Sequence, residues 1–133
     1  MLYSILIYVA EDAVAAMGKE QEDAHVAEHL KIHAKLAAKG KLGPVVRLMP
    51  TSTAVQLRTA GGPMISDGPF AETKEQFLGF YIVDCDSQEE AVEIARSLPS
   101  IGTVFEIRPV KLFFPGGAVK HENAIDSGAK TRP

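Results

Sequence analysis

The fold is constrained most by two short segments, Leu2–Val9 and Phe77–Val83, that are apolar on both of their alternating sides. Both segments are rich in β-branched and aromatic residues, which predicts β-strands. Successive side chains of a strand point to opposite faces of its sheet. A strand of this kind therefore requires cover on each face, and the sequence predicts a sheet that is covered on both sides.

Two helices are predicted beside these strands. Placing residues Asp23–Lys39 at 100° steps puts the apolar residues and His33 on one side, opposite a row of lysines, as in an amphipathic helix. Ser87 and Glu90 form a capping box that begins the second helix, and Pro99 ends it. The acidic, alanine-rich segment before the first helix, Glu11–Gln21, is predicted to form a connection with a short helical turn.

Shorter strands account for the rest of the ordered chain, and they are predicted at Gly43–Met49, Ala54–Arg58, Met64–Ser66 and Thr103–Leu112. The order of elements predicts an α+β fold, a ferredoxin-like β-α-β-β-α-β antiparallel sheet with an extra hairpin and two helices on one face. Gly79 marks a bulge or a close approach of two strands. We expect residues 1–114 to form a single domain and residues 115–133 to form a polar tail.

The second face of this sheet is left without a layer, because two helices cover only one face. The simplest cover is the same face of a second copy, which predicts a homodimer by sheet-to-sheet packing. Partial cover by the C-terminal tail is the alternative. An exposed apolar sheet face would exceed the patches that monomers tolerate, and this favours the dimer.

Composition narrows the function classes. The 133 residues are 46% hydrophobic, enough for one sizeable core, and the net charge of −3 gives no basic field for nucleic acid. One cysteine, Cys85, excludes an internal disulfide framework and a cysteine-rich zinc site, so we expect a cytoplasmic protein. The apolar run Leu2–Ala10 is too short to span a bilayer, and no membrane partner is expected.

The densest group of polar side chains in the middle of the sequence is Asp67–Gln76, between two apolar runs. Its first three residues constrain the backbone. Asp67 can bond downstream N–H groups, Gly68 accepts unusual dihedral angles, and Pro69 fixes its own φ. The segment is therefore predicted to have a defined shape.

The run Asp67–Gln76 (DGPFAETKEQ), followed by Gly79–Tyr81 and later by Glu106–Val110, resembles the signature of the YCII-related family, in particular its DGPF-motif branch. The resemblance implies a ferredoxin-like fold that dimerises into an α/β barrel. It also implies a site at a first-helix histidine, eleven residues before the glycine that ends the helix, near an acidic residue of the strand region. Counted from Gly40, that position is His29.

The candidate catalytic pair is His29 with Asp67. His29 lies on the shoulder of the apolar helix face, where an imidazole paired with a carboxylate could act as a general base. The alternatives are a structural histidine bonded to backbone and an aspartate that only forms the turn. Arg58 and Lys74 are the candidates for holding an anionic group of the substrate, although Arg58 could instead form a cross-strand ion pair. His33 is expected in the core.

A metal site is not predicted. His25, His29 and His33 lie four residues apart, so a metal could bridge two of them, but neither cysteine nor a Glu-x-x-His context completes a ligand set. No phosphate-binding glycine loop or Gly-x-Ser-x-Gly motif occurs, and no cofactor is expected.

Two function classes remain open. The first is a cofactor-free small-molecule enzyme of isomerase or lyase type, which abstracts a proton beside a carbonyl group of a small anionic molecule. The second is a non-catalytic dimeric ligand-binding or accessory module. The family resemblance links that module to sigma-factor or stress regulation. Fold alone does not decide between them.

Overall fold

A computed structural model describes residues 1–62, 64–68, 73–117 and 119–124. The chain forms an α+β fold with six strands and three helices in the described part. In chain order these elements are β1 (Leu2–Val9), α1 (Glu11–Ala15), α2 (Lys19–Ala38), β2 (Leu42–Arg47), β3 (Val55–Arg58), β4 (Met64–Asp67), β5 (Gln76–Asp84), α3 (Gln88–Ser97) and β6 (Val104–Pro109). A single 3₁₀ turn at Thr51–Thr53 separates β2 from β3.

Four strands form one antiparallel sheet in the order β2-β5-β1-β6. In the middle of this sheet Ile5 of β1 pairs with Tyr81 of β5 on one side and with Ile107 of β6 on the other. This arrangement is compatible with the predicted ferredoxin-like class. The extra hairpin is present as a separate two-stranded sheet, in which Val55 of β3 pairs with Asp67 of β4.

The core lies between the sheet and the helices α2 and α3, which both cover one face. Alternate residues of β1 and β5 point into it and are buried together with Leu36 of α2 and with Ala91, Ala95 and Leu98 of α3. One alternating set of side chains from β1 and β5 is buried here, because both are inner strands that lie beneath the helices, while the other set points to the opposite face of the sheet. The predicted placement of two helices on one face is confirmed.

The opposite face of the sheet carries a second apolar set. Leu6 pairs with Phe80, and the rings of Tyr8 and Phe77 lie with their centroids 5.5 Å apart. Leu6 and Phe80 are half-buried and Phe77 is 37% exposed, and no helix of the described residues covers them. The predicted dimer would use this face, and it stays a prediction.

Helix boundaries differ from the sequence-based ones at the start of α2. The helix begins at Lys19 rather than at Asp23, because Gly18 is extended and its carbonyl accepts from the N–H of Glu22. Glu20 and Glu22 lie in the first turn, where negative charge stabilises the helix dipole. The predicted short helical turn before it is α1.

The predicted start of α3 is confirmed, since the N–H of Glu90 donates to the Ser87 hydroxyl at 3.2 Å. The carboxylate of Glu90 accepts from Lys41 at 2.5 Å. Helix α3 is thereby connected to the loop before β2.

Gly79 allows two strands to approach closely, as predicted. The register of β1 and β5 shifts between Ile7 and Tyr8, beside Gly79. A Cβ added at Gly79 would lie 2.0 Å from the backbone oxygen of Val46 in β2. The position therefore excludes any side chain, and β2 lies against β5 at this point.

Candidate functional site

A cavity of about 580 Å³ lies beside α2 and is lined by that helix and by the strands β1, β2 and β5. Most of its lining is aliphatic. The polar side chains come mainly from α2, which contributes His25, His29 and His33, and from β5, which contributes Tyr81. Residues of the C-terminal segment, Asn123 and Ala124, complete one wall.

The hydroxyl of Tyr81 joins two histidines of α2. It lies 2.6 Å from Nδ1 of His29 and 2.7 Å from Nε2 of His33. The two histidines are four residues apart and therefore share one face of the helix. Tyr81 is 1% exposed and stands on the helix-facing side of β5, opposite Ile5. Its hydroxyl needs a partner at such burial, and the histidines supply it.

Burial controls the protonation of this group. It is the largest cause that lowers the pKa of His29 to about 4, and the neighbouring charges of His25, His33 and Arg47 lower it further. Burial also lowers the pKa of His33 and raises the pKa of the Tyr81 hydroxyl. Both histidines are therefore neutral near pH 7 and Tyr81 keeps its proton.

His25 of α2 and Arg47 of β2 also line the cavity. The His25 ring is centred 5.1 Å from that of His29. Burial and then Arg47 lower the pKa of His25, and Glu22 acts in the opposite direction. Arg47 forms an ion pair with Glu22 at 3.0 Å. Among the described lining residues Arg47 is the one with a permanent charge, and none is Asp or Glu.

The sequence-based site residues are distributed over two regions. His29 lines the cavity, and the hydrogen bond of its Nδ1 goes to Tyr81. Asp67 is exposed at the end of β4, Arg58 is exposed at the end of β3, and Lys74 is exposed before β5. Within the described residues these three do not line the cavity. The pairing of His29 with Asp67 stays a prediction.

The polar turn that contains Asp67 is described in part. Gly68 has a φ of 86°, which few other residues adopt, and its N–H donates to the Ala54 carbonyl at 2.6 Å. This accounts for the glycine in the sequence. Residues 69–72, which include Pro69 and Phe70 of the DGPF motif, lie outside the described residues.

Sequence reasoning missed the roles of Tyr81 and His33. Tyr81 was read as one of several apolar strand residues, and His33 as a core residue of the helix. The available signal was the four-residue spacing of His29 and His33 beside a strand whose tyrosine has to bury a hydroxyl. The spacing alone does not reveal which strand faces the helix.

No group of three or more His, Cys, Asp or Glu side chains is placed to hold a metal ion in the part of the chain that the structure describes. None of the described helices is both long and apolar enough to cross a membrane.

The fold and site define a small α+β domain that carries a histidine-lined cavity beside its long helix. Residues 1–114 match the YCII-related domain, and the chain belongs to this family. It is also similar to an uncharacterized protein of Rhizobium meliloti (strain 1021), with 46% identity over 121 residues. The aligned region covers 87% of this chain and 97% of the relative.

Proposed function

We propose that the protein is a cofactor-free enzyme of isomerase or lyase type, which moves a proton beside the carbonyl group of a small molecule bound in the histidine-lined cavity. The observation that carries this proposal is the Tyr81 hydroxyl, which joins His29 and His33 at the cavity wall. Titratable groups that converge in a cavity and have shifted pKa values are characteristic of active sites.

The size and lining of the cavity support a small organic ligand. A volume of about 580 Å³ lies within the range of small-molecule sites, and a mostly apolar lining with few polar groups is typical of them. Neutral imidazoles can donate or accept a hydrogen bond, which suits proton transfer without a metal.

An anionic group of the ligand would be held by Arg47. Arg47 lines the cavity, whereas Arg58 and Lys74 do not line it in the described structure. Arg47 is positioned by Glu22, so a ligand carboxylate would meet a cation that is already oriented. In this proposal Arg47 takes the role that the sequence suggested for Arg58 or Lys74, and Tyr81 takes the orienting role suggested for Asp67.

The test has two readouts. A thermal-shift screen against small carboxylic acids, lactones and ketones measures binding, because a ligand of the native state stabilises it. Proton NMR in D₂O measures exchange of the C–H beside the carbonyl group for deuterium. We expect a stabilising compound to exchange faster with the wild type than with His29→Leu. Tyr3→Phe, a change at a buried strand residue outside the cavity lining, is the matched control. Exchange that is equal in wild type and His29→Leu would refute the proposal.

A non-catalytic ligand-binding module is the second candidate. The observation that favours it is the pKa of about 4 at His29, since an imidazole of such low basicity is a weak base near pH 7. The same screen separates the two functions. Compounds that raise the melting temperature without any deuterium exchange would indicate the module.

The proposal includes a homodimer through the open face of the four-stranded sheet. Support comes from the half-buried Leu6, Phe80 and Ile82, which form an apolar surface without a covering helix in the described residues. Two such faces would bury each other by sheet-to-sheet packing. Light scattering at micromolar concentration should return twice the mass of the chain, and a monomer mass would contradict this assembly.

The order Asp67-Gly68-Pro69-Phe70 supports membership of the DGPF-motif branch.

A further inference from the structure

The Tyr81 hydroxyl has one hydrogen but touches two ring nitrogens, so two neutral arrangements place this buried hydrogen in a hydrogen bond. In the first, Nε2–H of His33 donates to the Tyr81 oxygen, and Tyr81 O–H donates to Nδ1 of His29. The second reverses both bonds. Each arrangement fixes the tautomer of both histidines. In the first, the outer nitrogen of His29 (Nε2) carries a hydrogen and that of His33 (Nδ1) carries a lone pair, and in the second these are exchanged.

The buried side of His33 decides between them. Its Nδ1 is buried and has no hydrogen-bond partner among the described residues. In the first arrangement this atom carries a lone pair that accepts no hydrogen bond, whereas in the second it is an N–H donor buried without an acceptor. Unpaired buried N–H groups are the rarer of the two in proteins. The first arrangement also places both imidazoles in the Nε2–H tautomer, which imidazole side chains prefer in water.

His29 lines the cavity, and its outer nitrogen is not fully buried. Its Nε2 has no hydrogen-bond partner among the described residues, and it is not among their buried unpaired atoms. In the first arrangement this nitrogen carries the proton. His29 thus offers an N–H donor to a ligand in the cavity, while its basic nitrogen, Nδ1, accepts the hydrogen bond from Tyr81.

We infer that His29 serves this site as a fixed hydrogen-bond donor through Nε2–H, that the ligand class is one with a carbonyl or carboxylate acceptor oxygen, and that His25 is the base. The assignment of donor and ligand class stands on the hydrogen-bond geometry. The assignment of the base rests on the proposed function.

The charges of the cavity agree with an acceptor ligand. Arg47 is the permanent charge of the wall, and the described lining residues include neither aspartate nor glutamate. An ammonium ligand would meet an N–H donor and a guanidinium without a counter-charge in the lining. A carbonyl or carboxylate oxygen would find a donor in both groups.

His29 cannot easily give up its proton, which is why the base lies elsewhere. A proton lost from Nε2 could be replaced through Tyr81 from Nε2 of His33. The chain ends there, because Nδ1 of His33 has no donor to draw on among the described residues. His25 lines the cavity, and its ring forms no hydrogen bond with the described residues. Its lowered pKa keeps it neutral near pH 7 and able to accept a proton.

The proposed step balances as an enolisation. The C–H bond beside the carbonyl breaks, its proton forms an N–H bond on His25, and its electron pair becomes the carbon–carbon double bond of an enolate. The enolate oxygen accepts the hydrogen bond from Nε2–H of His29. A return of the proton from His25 to the same carbon restores the ketone, and in a ligand with a double bond conjugated to the enolate its return to the far carbon completes an isomerisation. The two rings are centred 5.1 Å apart and both residues line the cavity, so the proposed donor and the proposed base are neighbours in the site.

The first test needs no substrate. Long-range ¹H–¹⁵N NMR of wild-type protein labelled at histidine reports which ring nitrogen carries the proton. We expect Nε2–H at both His29 and His33 at pH 7, with signals assigned by comparison with His29→Gln and His33→Gln. An Nδ1–H tautomer at His29, or a protonated His29 ring, would overturn the inference.

The second test compares ring compounds of one shape: cyclohexanone, cyclohexanecarboxylate and cyclohexylamine. We expect the first two to bind at least about tenfold more tightly than the amine, as one charge-assisted or well-placed hydrogen bond allows. Tightest binding of the amine would overturn the assigned ligand class.

The base is tested by deuterium exchange at cyclohexanone. We expect His25→Gln to slow exchange roughly a hundredfold or more with little loss of binding. His29→Leu should weaken binding about tenfold, and His29→Gln, which keeps an N–H donor, should recover part of it. Full exchange in His25→Gln together with none in His29→Leu would make His29 the base. If no compound binds or exchanges, the proposed function fails, while the tautomers still decide the role of His29.

Discussion

Replacing Tyr81 with phenylalanine removes the one oxygen atom that joins the two helix histidines to the sheet. His29 loses the partner of Nδ1 and His33 loses the partner of Nε2. His33 then has no hydrogen bond at either ring nitrogen within the described structure, since its Nδ1 already has none. The substitution leaves the packing volume almost unchanged, so the expected loss is polar in origin.

The magnitude follows from the bonds removed. Each hydrogen bond contributes about 1 kcal/mol net, and a buried nitrogen left unpaired costs about 1–3 kcal/mol more. Removing the buried hydroxyl itself offsets part of this loss. We expect Tyr81→Phe to lower the free energy of unfolding by about 2–4 kcal/mol. For a chain of this size that corresponds to a drop in melting temperature of roughly 6–15 °C.

Urea denaturation followed by circular dichroism measures this loss as a lower midpoint with an unchanged slope. Tyr3→Phe is the control, because Tyr3 of β1 is buried on the same helix-facing side of the sheet as Tyr81, yet its hydroxyl has no hydrogen bond in the described residues. We expect it to cost less than about 0.5 kcal/mol. Protein concentration is held constant, since assembly would change apparent stability.

A double-mutant cycle of Tyr81→Phe with His33→Leu isolates the bond between them. We expect a coupling energy of about 1 kcal/mol or more. The reasoning fails if Tyr81→Phe costs no more than Tyr3→Phe, or if the cycle shows no coupling. Either result would mean that the hydroxyl is not joined to the histidines in solution.

Three further changes test other parts of the structure. Acid should destabilise the protein between about pH 6.5 and pH 4, because His29 binds a proton in the unfolded chain but stays neutral in the folded protein. After discounting for its partial exposure, the loss in the free energy of unfolding is about 1–2 kcal/mol. Urea midpoints measured across this pH range should depend less steeply on pH in His29→Gln. Gly79→Ala should lower the free energy of unfolding by about 3 kcal/mol, because the new Cβ would lie 2.0 Å from the Val46 backbone oxygen. The control is Gly117→Ala, whose Cβ meets nothing within 4 Å, and its denaturation midpoint should be close to that of the wild type. Truncation after Gly117 removes Asn123 and Ala124 from the cavity wall and should speed ligand release in stopped-flow measurements while changing the melting temperature by less than a few degrees.

Much of the architecture could be predicted from local pattern. The two-sided apolar runs identified β1 and β5, the capping box located the start of α3 at Ser87, and Gly79 was correctly read as a close approach. Each of these signals arises from the residue itself and its neighbours in sequence, so tertiary structure did not alter it. The start of α2 was missed by four residues, because Gly18 is the N-cap of this helix and residue preference alone did not identify it as such.

The site was predictable only in part, and the reason is distance along the chain. A helical projection placed His29 on the margin of the buried face, and that face does border the cavity. Its partner could not be chosen by pattern, because Tyr81 is 52 residues away and Asp67 was an equally polar candidate. The choice depends on which strand lies beneath α2, and strand order is a property of the folded chain.

By itself the sequence determined the α+β class, the extra hairpin, the start of α3 at Ser87 and the residue types available for chemistry, because these depend on periodicity and on the conformational limits of single residues. Tertiary structure alone decided that Tyr81 would lie between His29 and His33, that Nδ1 of His33 would be buried without a described partner, and that Arg47 would line the cavity. Burial then lowered the pKa of His29 to about 4. The physical reason is that solvation and hydrogen-bond partners are set by contacts between distant segments, which no local pattern contains.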